Sequence, residues 1–132
     1  MQMKVKFYSV LLFLLSVHAL SAQTFSDNWS AIKKFHTVIS ETFHPAEEGN
    51  LKPIKLRCLE LSTMAAALLE SDIPAEFRTK SILTAVEKLV VKSKIVHKLV
   101  SLKAPDEDIV QSLTELHDIF HDIVGLCTNN KK

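Results

Sequence analysis

Glycine is almost missing from this chain. Two occur in 132 residues, and the four prolines, Pro45, Pro53, Pro74 and Pro105, all stand near breaks in an apolar pattern that recurs every three to four residues. Glycine and proline are the residues that turn and interrupt backbone, so a chain that uses them this sparingly is committed to long elements. No stretch alternates apolar and polar residues with period two, and no strand is predicted. Between the breaks the periodicity predicts helices at about 26–44, 51–71, 77–102 and 105–127.

The punctuation agrees with these limits. Ser26 is placed to cap the first helix and Asn50 the second, with Pro53 tolerated in its first turn. Ser71-Asp72-Ile73-Pro74 reads as a break, and Pro105 followed by Asp106, Glu107 and Asp108 reads as a helix start with acids at the positive end of the dipole. Four helices joined by short loops predict an all-α, up-down-up-down antiparallel four-helix bundle.

Each helix carries one apolar stripe, and spacings of three and four turn these residues inward. The first offers Trp29, Ile32, Phe35, Ile39 and Phe43; the second Leu51, Ile54, Leu61, Ala65, Leu68 and Leu69, with Met64 on its flank. The third offers Ile82, Val86, Leu89, Val90, Val96 and Val100; the fourth Ile109, Leu113, Leu116, Phe120, Ile123 and Val124.

The chain opens differently. Lys4 and Lys6 precede an apolar run from Phe7 to Val17, and small residues follow at Ala19, Ser21 and Ala22. That order is a secretory signal peptide, residues 1–22, and the run is about half of the roughly 20 residues a membrane span needs. No cysteine follows the run to take a lipid anchor. Removal leaves residues 23–132, a length suited to one domain, and takes two lysines with it, so the formal charge moves from +1 to −1. A near-neutral chain without a basic block speaks against nucleic acid and against an anionic membrane as partner. The expected location is periplasmic or secreted.

Chemistry is sparse. There is no glycine-rich phosphate loop, no G-x-S-x-G, no paired Glu-x-x-His motif and no CxxCH. "HDIFH", 117 to 121, matches H-[DE]-x-x-H, but zinc proteases use glutamate as the base and a third ligand downstream, and neither is present. The expectation is a protein that is not an enzyme.

What remains is histidine. On the helical wheel His36, His97 and His117 fall within or between inward positions of the first, third and fourth helices, and Cys58 does so on the second. Counting rise from the end where helix one stops puts Cys58 and His36 about 12 Å deep, His97 about 8 Å and His117 about 18 Å. Boundary uncertainty lets these depths overlap, so a core site of imidazole and thiolate is sterically open. Such a set suits zinc or copper. His121, four residues after His117, stands at the edge of its stripe. A second grouping, His44 with Glu47 and Glu48 in "FHPAEEGN", lies around the first inter-helix loop. The plainer reading stands beside both: core or boundary histidines hydrogen-bonded to carbonyls, and solvated acids at a helix end.

Two cysteines in an exported chain invite a disulfide, yet Cys127 lies about 33 Å from the reference end, far from Cys58. In this topology they cannot meet. Free thiols are expected, or an intermolecular role for Cys127.

The stretches "FHTVISETFHPAEEGNLKPIK" and "LHDIFHDIVGLC" resemble small, exported, uncharacterised bacterial helical-bundle proteins over most of the mature chain. In architecture the chain also resembles the soluble b-type and c′-type cytochrome bundles. The first likeness implies export and an all-helical fold. The second implies that such a bundle can hold a cofactor, although the haem-attachment motif and a well-placed axial methionine are missing. The expected function is transition-metal binding, copper or zinc, in storage, buffering or sensing, with candidate ligands His36, His97, His117, His121, His44 and Cys58. Alternatives are a metal-free interaction protein that binds a partner or its own copy, and a bundle that holds haem non-covalently.

Overall fold

A computed structural model of the chain describes residues 25–129, so the segment read as a signal peptide lies outside the described residues. Four helices make the bundle: α1 (Ser30–Glu47), α2 (Lys52–Glu70), α3 (Lys80–Ser101) and α4 (Asp106–Asn129). A four-residue helical turn, Phe25–Asn28, precedes α1, and a single 3-10 turn, Ala75–Phe77, lies between α2 and α3. Each helix runs antiparallel to the next, and α1 and α4 lie side by side. Those two approach less closely than the three sequential pairs do. Among the described residues no strand forms, and no helix is long and apolar enough to cross a membrane.

The helix ends follow from local chemistry. α1 runs through Pro45 to Glu47 rather than stopping at His44. Proline has no N–H to give to the Glu41 carbonyl, so one bond of the last turn is lost, yet the helix continues far enough to bury Ala46. The end is then closed by Gly49 at φ +89, whose N–H donates to the Ala46 carbonyl at 3.0 Å while Asn50 N–H reaches the Pro45 carbonyl at 2.9 Å. This is the paired closing bond that a left-handed residue after a helix makes possible. α3 ends the same way, with Lys103 at φ 53 in the glycine position.

The starts differ by a few residues from the sequence expectation. Ser26 belongs to the separate turn and does not cap α1, whose preceding residue is Trp29. Leu51, not Asn50, precedes α2, although the Asn50 Oδ1 still accepts the Lys52 N–H at 3.2 Å. α3 begins at Lys80 because Thr79 caps it, its Oγ1 accepting from Ile82 N–H at 3.2 Å.

All four expected stripes contribute to one core, with fully buried residues such as Ile32, Phe35, Ile54, Leu61, Leu89, Leu113 and Leu116. Each large aliphatic side chain removed from water in this way contributes about 1.5–3 kcal/mol. Leu69 is an exception and stands exposed; Val100 and Val124 are only partly covered. One further row joins the core: Val38, Thr42 and Ala46 are buried on α1. Thr42 is satisfied there, its hydroxyl donating to the Val38 and Ile39 carbonyls at 2.9 and 3.1 Å. The buried face of α1 is thus rotated toward α2, the helix it packs on closely.

The connection from α2 to α3 also closes one end of the bundle. Phe77 is fully buried and its ring stacks on Trp29, centroids 6.1 Å apart, while the Trp29 indole donates to Ser71 Oγ at 3.2 Å.

Candidate functional site

The rotation of α1 decides where its histidines go. His36 stands about 60° around the wheel from Ile39, on the side away from Val38 and Thr42. With α4 held at a distance, that flank stays open to solvent, and His36 is exposed instead of buried in the core. His117 and His97 are half-buried, His44 and His121 exposed, and only Cys58 among the candidate ligands is buried. A core site built from His36, Cys58, His97 and His117 therefore has no interior imidazole.

A different grouping forms on the surface, along the seam between α1 and α4. The His36 ring stacks on Phe120, centroids 5.1 Å apart and 9° from parallel, and Phe120 meets His121 edge-on at 5.8 Å. His121 meets His117 at 4.4 Å, and the His117 ring lies flat on Phe43 at 3.9 Å. His44 closes the row, 6.0 Å from His117 at a steep angle. Phe43 and Phe120 are buried core residues, so each fixes the face of an imidazole that it touches. Stacking onto an immobile ring limits the rotamers the histidine can adopt.

Two contacts give this row chemical direction. The Nε2 atoms of His117 and His121 are 3.2 Å apart. Either one donates its proton to the other, or both lone pairs face a shared cation. Two imidazoles on a tetrahedral metal at about 2.0–2.1 Å hold their nitrogens about 3.3 Å apart, close to the separation found. Secondly, the His44 Nδ1 is 3.2 Å from Glu47 Oε2. A carboxylate only accepts, so Nδ1 carries a proton, and in the neutral ring that leaves the lone pair on the His44 Nε2. Such a carboxylate behind a histidine is the usual outer partner of metal-bound imidazole.

The electrostatics favour a neutral ring at His117. Partial burial lowers the His117 pKa below its ordinary value, and the neighbouring His121 and His44 push the same way; Asp118 and Glu47 oppose them weakly. A neutral imidazole is the form that ligates a cation. No three His, Cys, Asp or Glu side chains among the described residues stand together in ligating geometry, so His44 has to turn toward the pair to become a third ligand. It is exposed and has room to do so.

The remaining candidates stand apart. His97 lies on α3, with no side-chain contact to another histidine among the described residues; only its carbonyl is used, by Ser101 Oγ at 2.9 Å. Glu48 is the residue that ends α1 and takes no part in the His44 contact. Cys58 faces the core with its thiol on the Lys55 carbonyl at 3.9 Å, and burial pushes its pKa up, away from the thiolate a metal needs. The two cysteines are not bridged to each other, and Cys127 is fully buried, which removes the expected intermolecular role. A haem between the helices requires an axial histidine pointing inward, and none of the five described histidines is placed that way.

No protein-family model matches the chain, and no curated protein or solved structure is detectably similar to it. The site is therefore read from its own geometry.

Sequence reasoning named five of the residues in this neighbourhood, His36, His44, Glu47, His117 and His121, but divided them between a core and a loop grouping. Phe43 and Phe120 were read as core only. Their second role, as platforms for His117 and His36, arises between helices and has no signal in the local sequence.

Proposed function

We propose that this protein binds a divalent transition metal ion, Zn²⁺ or Cu²⁺, at the α1–α4 seam. His117 and His121 are the chelating pair, His44 backed by Glu47 is the third ligand, and water fills the remaining positions. The observation that carries this reading is the 3.2 Å separation of the two Nε2 atoms. His36, one ring further along the row, is a reserve ligand. Cys58 and His97 leave the ligand set.

The donor set bears on the metal. An all-imidazole site with a carboxylate behind it suits Zn²⁺ and Cu²⁺, whereas Cu⁺ prefers the sulfur that stays in the core. Exposed ligands exchange readily with solvent, which fits buffering or sensing better than closed storage. The role is binding, not catalysis, and its setting is the periplasm or the outside of the cell once residues 1–22 are removed.

The test is direct. Untagged protein, stripped with chelator, is titrated with Zn²⁺ and Cu²⁺ by calorimetry and followed by thermal melts. One ion per chain is expected to bind with Kd below about 10 µM, and at a hundredfold excess over Kd this adds about 2.7 kcal/mol of stability. His117→Ala and His121→Ala each abolish binding, His44→Ala weakens it, and His97→Ala and Cys58→Ala leave it unchanged. Absence of binding tighter than about 10 µM for both ions would overturn the proposal.

A further inference from the structure

α3 and α4 divide the charge of the bundle between them. α3 holds five lysines against the single acid Glu87, whereas α4 holds six acids and no lysine or arginine. Charge that looks mixed along the sequence is therefore sorted onto two neighbouring helices. Within the chain this joins them through Lys92 and Glu115.

The outward side of the pair is left uncovered. A groove of about 650 Å³ runs between the two helices, with Lys80 and Lys88 on one wall and Asp122, Gly125 and Leu126 on the other, and it reaches His121 of the α1–α4 row. A second hollow of about 370 Å³ extends it past Val91 and Ile119. On α3 the residues Val91 and Ile95, at helical spacing, are 58 and 40 % exposed, and Leu102, just past its end, is 68 % exposed. Gly125 adds an independent sign. It lies inside α4, where glycine is the poorest helix former short of proline, yet a Cβ there would meet nothing within 4 Å. Packing within the chain gives no reason for it.

We infer that this α3–α4 face is a self-association surface, on which a second copy packs about a twofold axis running along the helices. Such an axis lays each α3 on the α4 of the other copy, basic on acidic. An axis across the helices would instead set α3 on α3 and α4 on α4, like charge on like charge. The Lys92–Glu115 pair sets the register. Counting rise along the antiparallel helices from it places Lys88 level with position 119 of a second copy, between Asp118 and Asp122, and Lys98 level with position 109, beside its Asp108. Val91 and Ile95 are then covered at the centre, and Gly125 lets the partner helix come close to α4. An anionic lipid surface fits less well, since Asp122 lines the groove and Glu87 the hollow that extends it, and both would be repelled.

Sedimentation velocity on the purified protein, with chelator present so that bridging metal plays no part, tests this. A monomer–dimer equilibrium is expected that weakens as salt is raised. Lys88→Glu is expected to raise the dimer Kd at least tenfold, and adding Asp122→Lys to restore it. Gly125→Trp fills the groove and is expected to give monomer with unchanged helical circular dichroism. A protein still monomeric at about 100 µM, where even a Kd of about 10 µM would leave most chains paired, would overturn the inference. So would a dimer indifferent both to Lys88→Glu and to Gly125→Trp. Binding to phosphatidylglycerol–phosphatidylcholine vesicles that is lost in Lys88→Glu, in place of self-association, would overturn it in favour of a membrane surface.

Discussion

His117 shows how one side chain can serve two masters. Its ring lies flat on Phe43, half withdrawn from water, while its Nε2 faces that of His121. Burial and the two neighbouring imidazoles make its protonation harder in the folded chain than in the unfolded one. The sign of the pH effect follows. Above the ordinary imidazole value near 6.5 both states leave the ring neutral and stability is unaffected. As the pH falls through that value the unfolded state takes up the proton first and is favoured, and the loss levels off below the folded pKa. Denaturant melts of metal-free protein between about pH 7.5 and 5 should show stability falling with acidity, and His117→Gln should flatten part of that slope. A slope unchanged in the variant would mean that His117 is not a source of it.

At the scale of the element, the helices were legible in sequence and their last turns were not. The apolar period located all four, and Pro53 and Pro105 marked two starts correctly. Pro45 misled, because the loss of one bond to the Glu41 carbonyl does not by itself end a helix whose next residue, Ala46, is still buried in the core. Thr79 could have been found as a cap, being a threonine three residues before the first buried position, Ile82. Lys103 could not: nothing in its side chain announces a left-handed residue, which is set by the turn into Pro105. That conformation costs a lysine about 1–2 kcal/mol, part of which glycine recovers against its own greater unfolded entropy. Lys103→Gly should therefore stabilise the protein by about 0.5–1 kcal/mol in chemical denaturation. A destabilised variant would show that the lysine side chain contributes more than its backbone costs.

At the scale of the whole molecule, one end of the bundle is sealed by residues far apart in sequence. Trp29 enters from before α1, Ser71 from the end of α2 and Phe77 from the loop beyond, and they meet through one hydrogen bond and one ring stack. The other end carries the short connections and the Lys55–Asp106 ion pair at 2.7 Å. Being exposed, that pair is worth about 0–1 kcal/mol. The sealed end should dominate stability. Trp29→Ala is expected to cost about 3–5 kcal/mol, the usual consequence of deleting a fully buried aromatic, whereas Asp106→Ala should change the unfolding free energy by less than about 1 kcal/mol. Equal effects would contradict this division.

By itself the sequence determined the class and most of the core. A 3.6-residue apolar period interrupted at three places admits helices of these lengths, and short loops between long helices admit only antiparallel neighbours. It also determined that histidine is the chain's main chemical resource. Only the tertiary structure decided where the histidines point. A helical wheel fixes angles about one axis, but burial depends on which neighbour stands at each angle and how near. Because α1 leans on α2 and stands off from α4, His36 came to the surface, and imidazoles expected in the core joined those of the stripe edge and the loop in a row along an open seam. The same holds for charge. The lysines of α3 and the acids of α4 nearly cancel in the total, and became two opposed faces only when the helices were set side by side.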